Sequence, residues 1–108
     1  MMELEVAAKR CAELGNVTRL SIYRLLVKAG KEGLPVGDIQ RALDIPASTL
    51  SHHISRLVQV GLIHQRRESR VLHCEPQFDA VQELASFLLS ECCSLKADDL
   101  DHPFTQIS

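Results

Sequence analysis

Residues 46–61 read PASTLSHHISRLVQVG, and this stretch decides the fold. Its apolar residues recur every three or four positions, the spacing of one face of an α-helix; they are Leu50, Ile54, Leu57 and Val58. A second set at i, i+3, i+4 and i+7 is wholly polar and contains no acid: Thr49, His52, His53 and Arg56. Pro46 and Gly61 bound the segment. We therefore predict an amphipathic helix from about residue 47 to 60, with a polar face suited to hydrogen bonding.

Three helices are expected before this one. Residues 36–43 carry apolar side chains at helical spacing, and the run 44–47 breaks that short helix. Two longer helices are expected over residues 2–14 and 17–29, the second with Asn16 as its N-cap. The chain therefore predicts two longer helices followed by a pair of short helices joined by a tight turn.

Beyond Gly61 the sequence predicts a β-hairpin and a final helix. Residues 62–67 and 70–75 have the composition of two strands around the tip Glu68-Ser69. Over residues 78–93 the apolar side chains recur at steps of three and four, which is the seam spacing of a helix that pairs with another helix; they are Phe78, Val81, Ala85, Leu88 and Cys92. We therefore expect a winged helix-turn-helix, mainly α with a small β-hairpin.

The length of 108 residues suits one domain that gains from burying a further face in a dimer. We expect that domain over residues 1–95, followed by a short acidic tail over residues 96–108. The sequence has no run near the ~20 apolar residues that cross a bilayer, and its first residues do not have a signal-peptide pattern. A cytoplasmic protein without membrane contact is therefore expected, with its four cysteines reduced.

The charge of the chain is unevenly distributed. The formal net charge is -2, yet residues 46–74 contain four arginines and one glutamate, a local net charge of +3 before four histidines. The acids lie in the tail and in the first helix, at Glu3, Glu5 and Glu13. We expect them not to neutralise a basic surface on the other side of the domain.

The polar face of the 47–60 helix has the side chains that major-groove readout requires. Thr49, His52, His53 and Arg56 can reach base edges, and Ser48 and Ser51 offer short hydroxyls for phosphates. The hairpin adds three arginines for the DNA backbone or minor groove, namely Arg66, Arg67 and Arg70. The alternative interpretation, which would be preferred for an isolated helix, is that these polar side chains only face solvent. A His52-His53 metal pair is disfavoured, because adjacent helical positions point about 100° apart and no third ligand lies one turn away.

Three segments resemble the ArsR/SmtB family of metal- and stress-responsive winged-helix repressors, over essentially residues 6–89. ELGNVTRLSI at 13–22 is similar to the entry of the family's second helix. STLSHHISRL at 48–57, followed by Gly61-Leu62-Ile63, resembles its recognition helix, and RESR at 67–70 its wing tip, with Ser69 in place of the usual glycine. The resemblance implies a homodimer joined through its first and last helices. It also implies binding to an inverted-repeat operator in double-stranded DNA and release by an inducer.

The resemblance also bears on the inducer. The family's arsenic site is a cysteine pair in the segment that matches residues 34–39, which contain no cysteine, and residues 78–93 lack the histidines of its zinc-type site. Cys92-Cys93 is similar to the vicinal pair with which some members sense arsenite. This implies As(III) or Sb(III) as inducer, since soft metalloids prefer three thiolates. Cys11 is our choice of third ligand, and a thiolate of the partner chain or a small-molecule thiol is the alternative. DNA binding itself is expected to require no cofactor.

Other readings of the cysteines and of the fold remain open. Cys11 could form a disulfide with Cys92 or Cys93, which describes a redox or reactive-sulfur sensor. Alternatively, Cys11 and Cys92 could be small packing residues, and Cys74 is interpreted as structural. A winged helix can also be a protein-interaction module, with its arginines on an acidic partner. We expect no enzyme, because the sequence contains no combination of nucleophile, base and orienting group and no phosphate-binding glycine loop.

Overall fold

The computed structural model describes residues 2–101, so residues 102–108 of the expected acidic tail lie outside the described residues. The expected fold is confirmed, since helices dominate and a small antiparallel sheet follows the paired short helices. A three-stranded sheet has the order β1-β3-β2. In chain order the elements are α1 (Leu4–Leu14), α2 (Val17–Ala29), β1 (Leu34–Pro35), α3 (Val36–Leu43), α4 (Ala47–Gln59), β2 (Ile63–Glu68), β3 (Val71–Pro76), α5 (Phe78–Leu89) and a 3-10 helix (Ala97–Asp101).

The apolar face of α4 is the centre of the core. Leu50, Ile54 and Leu57 are completely or almost completely buried against Ile22 and Leu26 of α2. Each such side chain contributes about 1.5–3 kcal/mol by leaving water. Because the same helix alternates apolar and polar residues with helical period, burying this face turns its polar face outward.

A short strand before α3 was not predicted. Leu34 and Pro35 pair antiparallel with Cys74 and His73 of β3. Two residues are too few to show a period of two in the sequence. Gly33 precedes them with φ +66°, and a Cβ there would lie 1.8 Å from the Cys74 carbonyl oxygen. This close approach joins the entry of α3 to the base of the hairpin.

The turn of the hairpin lies one residue later in the chain than expected. Glu68 pairs with Val71, so the turn consists of Ser69 and Arg70 instead of Glu68 and Ser69. Ser69 adopts φ 57°, in the left-handed region that glycine favours. The serine therefore takes the backbone conformation of the glycine that is usual at this tip.

The last helix ends earlier than predicted, at Leu89 instead of Cys93. The backbone becomes extended at Ser90, whose hydroxyl donates to the Phe87 carbonyl at 2.7 Å. Glu91 and Cys93 then adopt left-handed conformations. The prediction that Cys92 continues the apolar seam was therefore wrong: both vicinal cysteines lie in a turn beyond the helix.

Helix α5 has two apolar sides. Leu84 packs with Met2 and Ala7 in a small cluster at α1, whereas Leu88 and Leu89 are largely exposed in the single chain. Ala85 and Leu88 of the predicted seam are exposed, whereas Val81 of the same seam packs against the core. Within residues 2–101, no helix has the length and apolar character needed to cross a bilayer.

Gly33→Ala is expected to lower the free energy of unfolding by at least about 2 kcal/mol, because positive φ and the nearby carbonyl both oppose a side chain. Gly37→Ala is the matched control. Gly37 lies in α3 with ordinary space for a Cβ, so alanine should raise stability by up to about 1 kcal/mol. Urea unfolding at one protein concentration measures both effects. A Gly33→Ala protein as stable as the wild type would contradict this contact.

Candidate nucleic-acid interface

The polar face of α4 forms one continuous surface. Four of the predicted contact residues are exposed along the first half of the helix, His53 is half-buried behind them, and the Arg56 side chain retains 44% of its accessible surface. The four are Ser48, Thr49, Ser51 and His52. The structure thus brings together all six side chains of this helix that were predicted to contact DNA.

Arg56 is held by an acid that was expected to lie too far away. Glu13 of α1 is almost completely buried, and its carboxylate accepts from Arg56 Nε at 3.0 Å and from Nη2 at 2.9 Å. The hydrogen bond from Arg56 lowers the pKa of Glu13 despite burial. The expectation that Glu13 is remote from the basic surface was therefore wrong, because α1 packs directly against α4. Arg56 is oriented by this pair, and its Nη1 has no recorded partner among the described residues.

A second arginine joins Glu13 to the same surface. Arg19 of α2 donates from Nε to the Glu13 backbone carbonyl at 2.7 Å, with the Glu13 carboxylate 3.3 Å away. Its Nη1 lies 3.1 Å from Nδ1 of His53. Glu13 and Arg19 lie in the segment 13–22 that resembles the family's second-helix entry, but neither was predicted to contribute to the site. Their position in that segment was the signal that could have drawn attention to them.

Helix α1 also binds the other end of α4. Arg10 Nε donates to the Val60 carbonyl at 2.9 Å, and Val60 is the C-cap residue of α4. Helix ends leave carbonyls without helical partners, and an arginine satisfies one here. Helix α4, and with it its polar face, is therefore fixed to α1 at two points.

The three arginines of the hairpin differ in their surroundings. Arg66 donates from Nε to Glu75 at 2.8 Å and lies 3.3 Å from Glu68, so its charge is largely balanced within the hairpin. Arg67 and Arg70 are exposed, and no ion pair is recorded for either in the described part of the chain. The two exposed arginines are the cations available to an external anion.

Strand alternation places Arg66 and Arg67 on opposite faces of the hairpin. Arg67 shares its face with Gln65 and with Leu72, its partner in register. Gln65 and Leu72 line a groove beside α4 together with Ser51 and Ser55. Arg67 therefore lies on the face of the hairpin that borders α4.

The cysteines do not gather within one chain. Cys92 Sγ lies 3.3 Å from Cys93 Sγ, and both are exposed. Cys11 is exposed on α1, but the described residues contain no group of three histidine, cysteine, aspartate or glutamate side chains that could hold a metal ion. Cys74 is buried in the core, and burial raises its pKa, which agrees with a structural role.

A helix-turn-helix with an acid-free polar face, followed by a hairpin with exposed arginines, defines a winged helix-turn-helix DNA-binding protein. A family model described as a helix-turn-helix domain matches residues 14–66. The nodulation protein NolR of Rhizobium meliloti is 29% identical over 99 residues, which cover 92% of this chain and 75% of NolR. These matches support an assignment to the ArsR/SmtB family of winged-helix transcriptional regulators.

Two further comparisons agree with this assignment. A protein of Halobacterium salinarum assigned as the arsenical resistance operon repressor ArsR is 36% identical over 67 residues, covering 62% of this chain. The match spans only 51%, about half, of that relative's length. A homodimeric winged helix-turn-helix DNA-binding domain from Mycobacterium bovis is 26% identical, with a TM-score of 0.66 over 80% of this chain and 78% of that one.

Glu13→Gln is expected to lower the free energy of unfolding at pH 7 by about 1–3 kcal/mol, because the guanidinium groups of Arg56 and Arg19 lose the carboxylate that they contact. The folded pKa of Glu13 is below its ordinary value of 4.5. The carboxylate's contribution is therefore complete above about pH 4.5 and is lost as the pH falls through the folded pKa. Urea unfolding from pH 7 to pH 3 should show the wild type and the variant converging.

The matched control for Glu13→Gln is Glu5→Gln, an exposed position in the first turn of the same helix. Its stability should differ from that of the wild type by no more than about 0.5 kcal/mol at any pH tested. A constant difference between the Glu13→Gln variant and the wild type across the pH range would contradict the assigned ion pairs.

Proposed function

We propose that the protein is a transcriptional repressor that binds an inverted-repeat operator as a homodimer. The observation that carries this proposal is the acid-free polar face of α4 beside the exposed cations Arg67 and Arg70. Thr49, His52, His53 and Arg56 would contact bases, and Ser48 and Ser51 phosphates. Phosphate binding by the exposed arginines supplies affinity that depends on salt.

The dimer of this proposal is supported by the free apolar side of α5. Leu88 and Leu89 are exposed in the single chain, and the Mycobacterium bovis domain of the same fold is described as homodimeric. Two copies joined through α1 and α5 would present two copies of α4 to two half-sites, as symmetric operators require. Large apolar side chains next to one another on a free helix face are typical of such an interface.

The inducer that we propose is As(III) or Sb(III), bound by Cys92 and Cys93. Their sulfur atoms are 3.3 Å apart, whereas two thiolates with bonds of about 2.3 Å to one soft centre can be separated by no more than about 4.6 Å. One atom can therefore bridge them without a large rearrangement. A third thiolate would come from Cys11 within the dimer or from a small-molecule thiol, since one chain does not bring Cys11 to the pair. Inducer binding would release the operator.

A redox or reactive-sulfur sensor is the second candidate function. The vicinal cysteines lie outside α5 in a turn, so helical geometry does not oppose a disulfide between Cys92 and Cys93. Both thiols are exposed to oxidants. We propose that the protein acts in the cytoplasm, where thiols are reduced at rest and oxidation can serve as a signal.

Arg67→Ala should weaken operator binding and reduce the slope of log K against log salt concentration by about one unit, because one phosphate contact is lost. Arg66→Ala is the matched comparison, and it should change the slope much less because Arg66 is paired with Glu75. Fluorescence anisotropy on duplexes selected from a random pool measures both slopes. Binding to no duplex, or binding that is insensitive to salt, would contradict the repressor function and favour a protein-interaction module.

As(III) should weaken operator affinity of the reduced protein by about 5- to 150-fold, the usual range of coupling between two sites. Cys92→Ser and Cys93→Ser should abolish this response, and Cys11→Ser should reduce it. Cys74→Ala is the control that keeps the response, because that thiol is buried in the core.

The same titration separates the two sensing functions. If peroxide or a persulfide donor releases DNA while As(III) does not, and mass spectrometry finds a disulfide or persulfide at Cys92 or Cys93, the protein is a redox sensor. If As(III) alone releases DNA and no such product forms, the redox function is wrong.

A further inference from the structure

We propose that Glu13 and Arg19 are positioning residues that fix the tautomer of His53, so that α4 presents its Nε2–H as a donor to an acceptor atom of DNA. This inference rests on the proposed DNA-binding function and assigns its hydrogen-bond polarity. The residues form a chain from α1 through α2 to the recognition helix α4.

The contact between Arg19 and His53 determines which ring nitrogen carries the proton. A guanidinium has five N–H donors and no acceptor. The 3.1 Å contact of Arg19 Nη1 with His53 Nδ1 is therefore a hydrogen bond only when Nδ1 has a lone pair. The neutral ring then carries its proton on Nε2. An unconstrained histidine can instead offer either a donor or an acceptor at that atom.

Glu13 fixes the arginine that makes this contact. Its backbone carbonyl accepts from Arg19 Nε at 2.7 Å, and its carboxylate lies 3.3 Å from the same atom. The Arg19 and Glu13 side chains are both 12% exposed, so the guanidinium is confined. With Nε bonded to Glu13, the planar group directs Nη1 at the ring.

The charges around His53 keep the ring neutral. Arg19 faces it from α2, His52 lies beside it on α4, and Glu13 of α1 lies behind Arg19. Burial lowers the pKa of His53, and the positive charges of Arg19 and His52 lower it further. A proton on Nδ1 would also place two N–H groups against each other. The Nε2–H donor is therefore expected to persist across neutral pH.

This polarity restricts what the recognition helix can bind at His53. In the major groove, guanine presents the acceptors O6 and N7 and adenine presents N7, whereas the cytosine amino group is a donor. A fixed Nε2–H selects a purine N7, a keto oxygen (guanine O6 or thymine O4) or a phosphate oxygen, and it disfavours the cytosine amino group. Arg56, whose Nε and Nη2 are bonded to Glu13, also retains only donors. His53 and Arg56 therefore both present donors to DNA, Arg56 because a guanidinium has no acceptor and His53 because its tautomer is fixed.

Long-range ¹H–¹⁵N NMR of the free, full-length protein tests the tautomer without DNA. The expected spectrum at pH 7 shows a protonated Nε2 and an unprotonated Nδ1 for His53. In Arg19→Met both tautomers should be populated, and Glu13→Gln should have a smaller effect of the same kind, because its backbone carbonyl still accepts from Arg19 Nε. The exposed His64 of β2 should be unchanged in both variants and reports the folded state. A protonated Nδ1 in the wild type, or an unchanged His53 pattern in both folded variants, would overturn the inference.

Modified operators test the recognition itself. Duplexes selected from a random pool are remade with 7-deazapurines, which replace N7 by a C–H group, or with methylphosphonates, which remove phosphate charge. A third set carries 2-aminopurine for guanine or 5-methyl-2-pyrimidinone for thymine, which removes the keto oxygen. If His53 donates to N7, one deazapurine position should weaken wild-type binding by about 5- to 150-fold and have no further effect in His53→Ala. An equivalent result at one methylphosphonate position assigns the acceptor as phosphate and supports the same donor.

The outcomes separate this inference from the proposed function. If the effect of none of these modifications depends on His53, although the wild type binds the selected duplex, His53 is not the donor and the inference fails. If no duplex is selected while NMR finds the Nε2–H tautomer, the DNA-binding function fails and with it the acceptor assigned here.

Discussion

The buried carboxylate of Glu13 is the interaction on which the arrangement of the first, second and fourth helices depends. A carboxylate removed from water is tolerated only when charged donors replace its hydration. Arg56 supplies two such hydrogen bonds from α4, and Arg19 approaches the same group from α2. The three helices must therefore keep one mutual orientation for the charges to be compensated, and that orientation sets the angle at which α4 presents its polar face.

Much of the fold could be predicted because its helices are periodic. The buried face of α4 and the extent of α2 followed from apolar residues at steps of three and four, and Asn16 caps α2 as expected. The pairing of Glu13 with Arg56 could not be predicted, since 43 positions separate the two residues and no local pattern connects them. The end of α5 at Leu89 could not be predicted either, because Ser90 interrupts a helix whose apolar spacing continues to Cys92 in the sequence.

The hairpin shows how strand alternation and cross-strand pairing change the interpretation of a charge. Three arginines were predicted to contact DNA as a set, but alternation along β2 separates Arg66 from Arg67. Arg66 is bound by Glu75, which lies on the neighbouring strand. The sequence contains both residues, yet only the observed pairing shows that Arg67 shares the face beside α4.

Helix α1 is the element in contact with both the recognition helix and the helix that leads to the vicinal cysteines. Its Ala7 packs in one cluster with Leu84 of α5, and Glu13, about two turns farther on, holds Arg56. A ligand changes DNA affinity only if it binds two conformations differently. A displacement of α5 that rotates or shifts α1 would move Glu13 relative to α4, and the closely spaced charges make such a shift costly. The same ion pairs that orient the polar face of α4 thus make its geometry sensitive to the positions of α1 and α5.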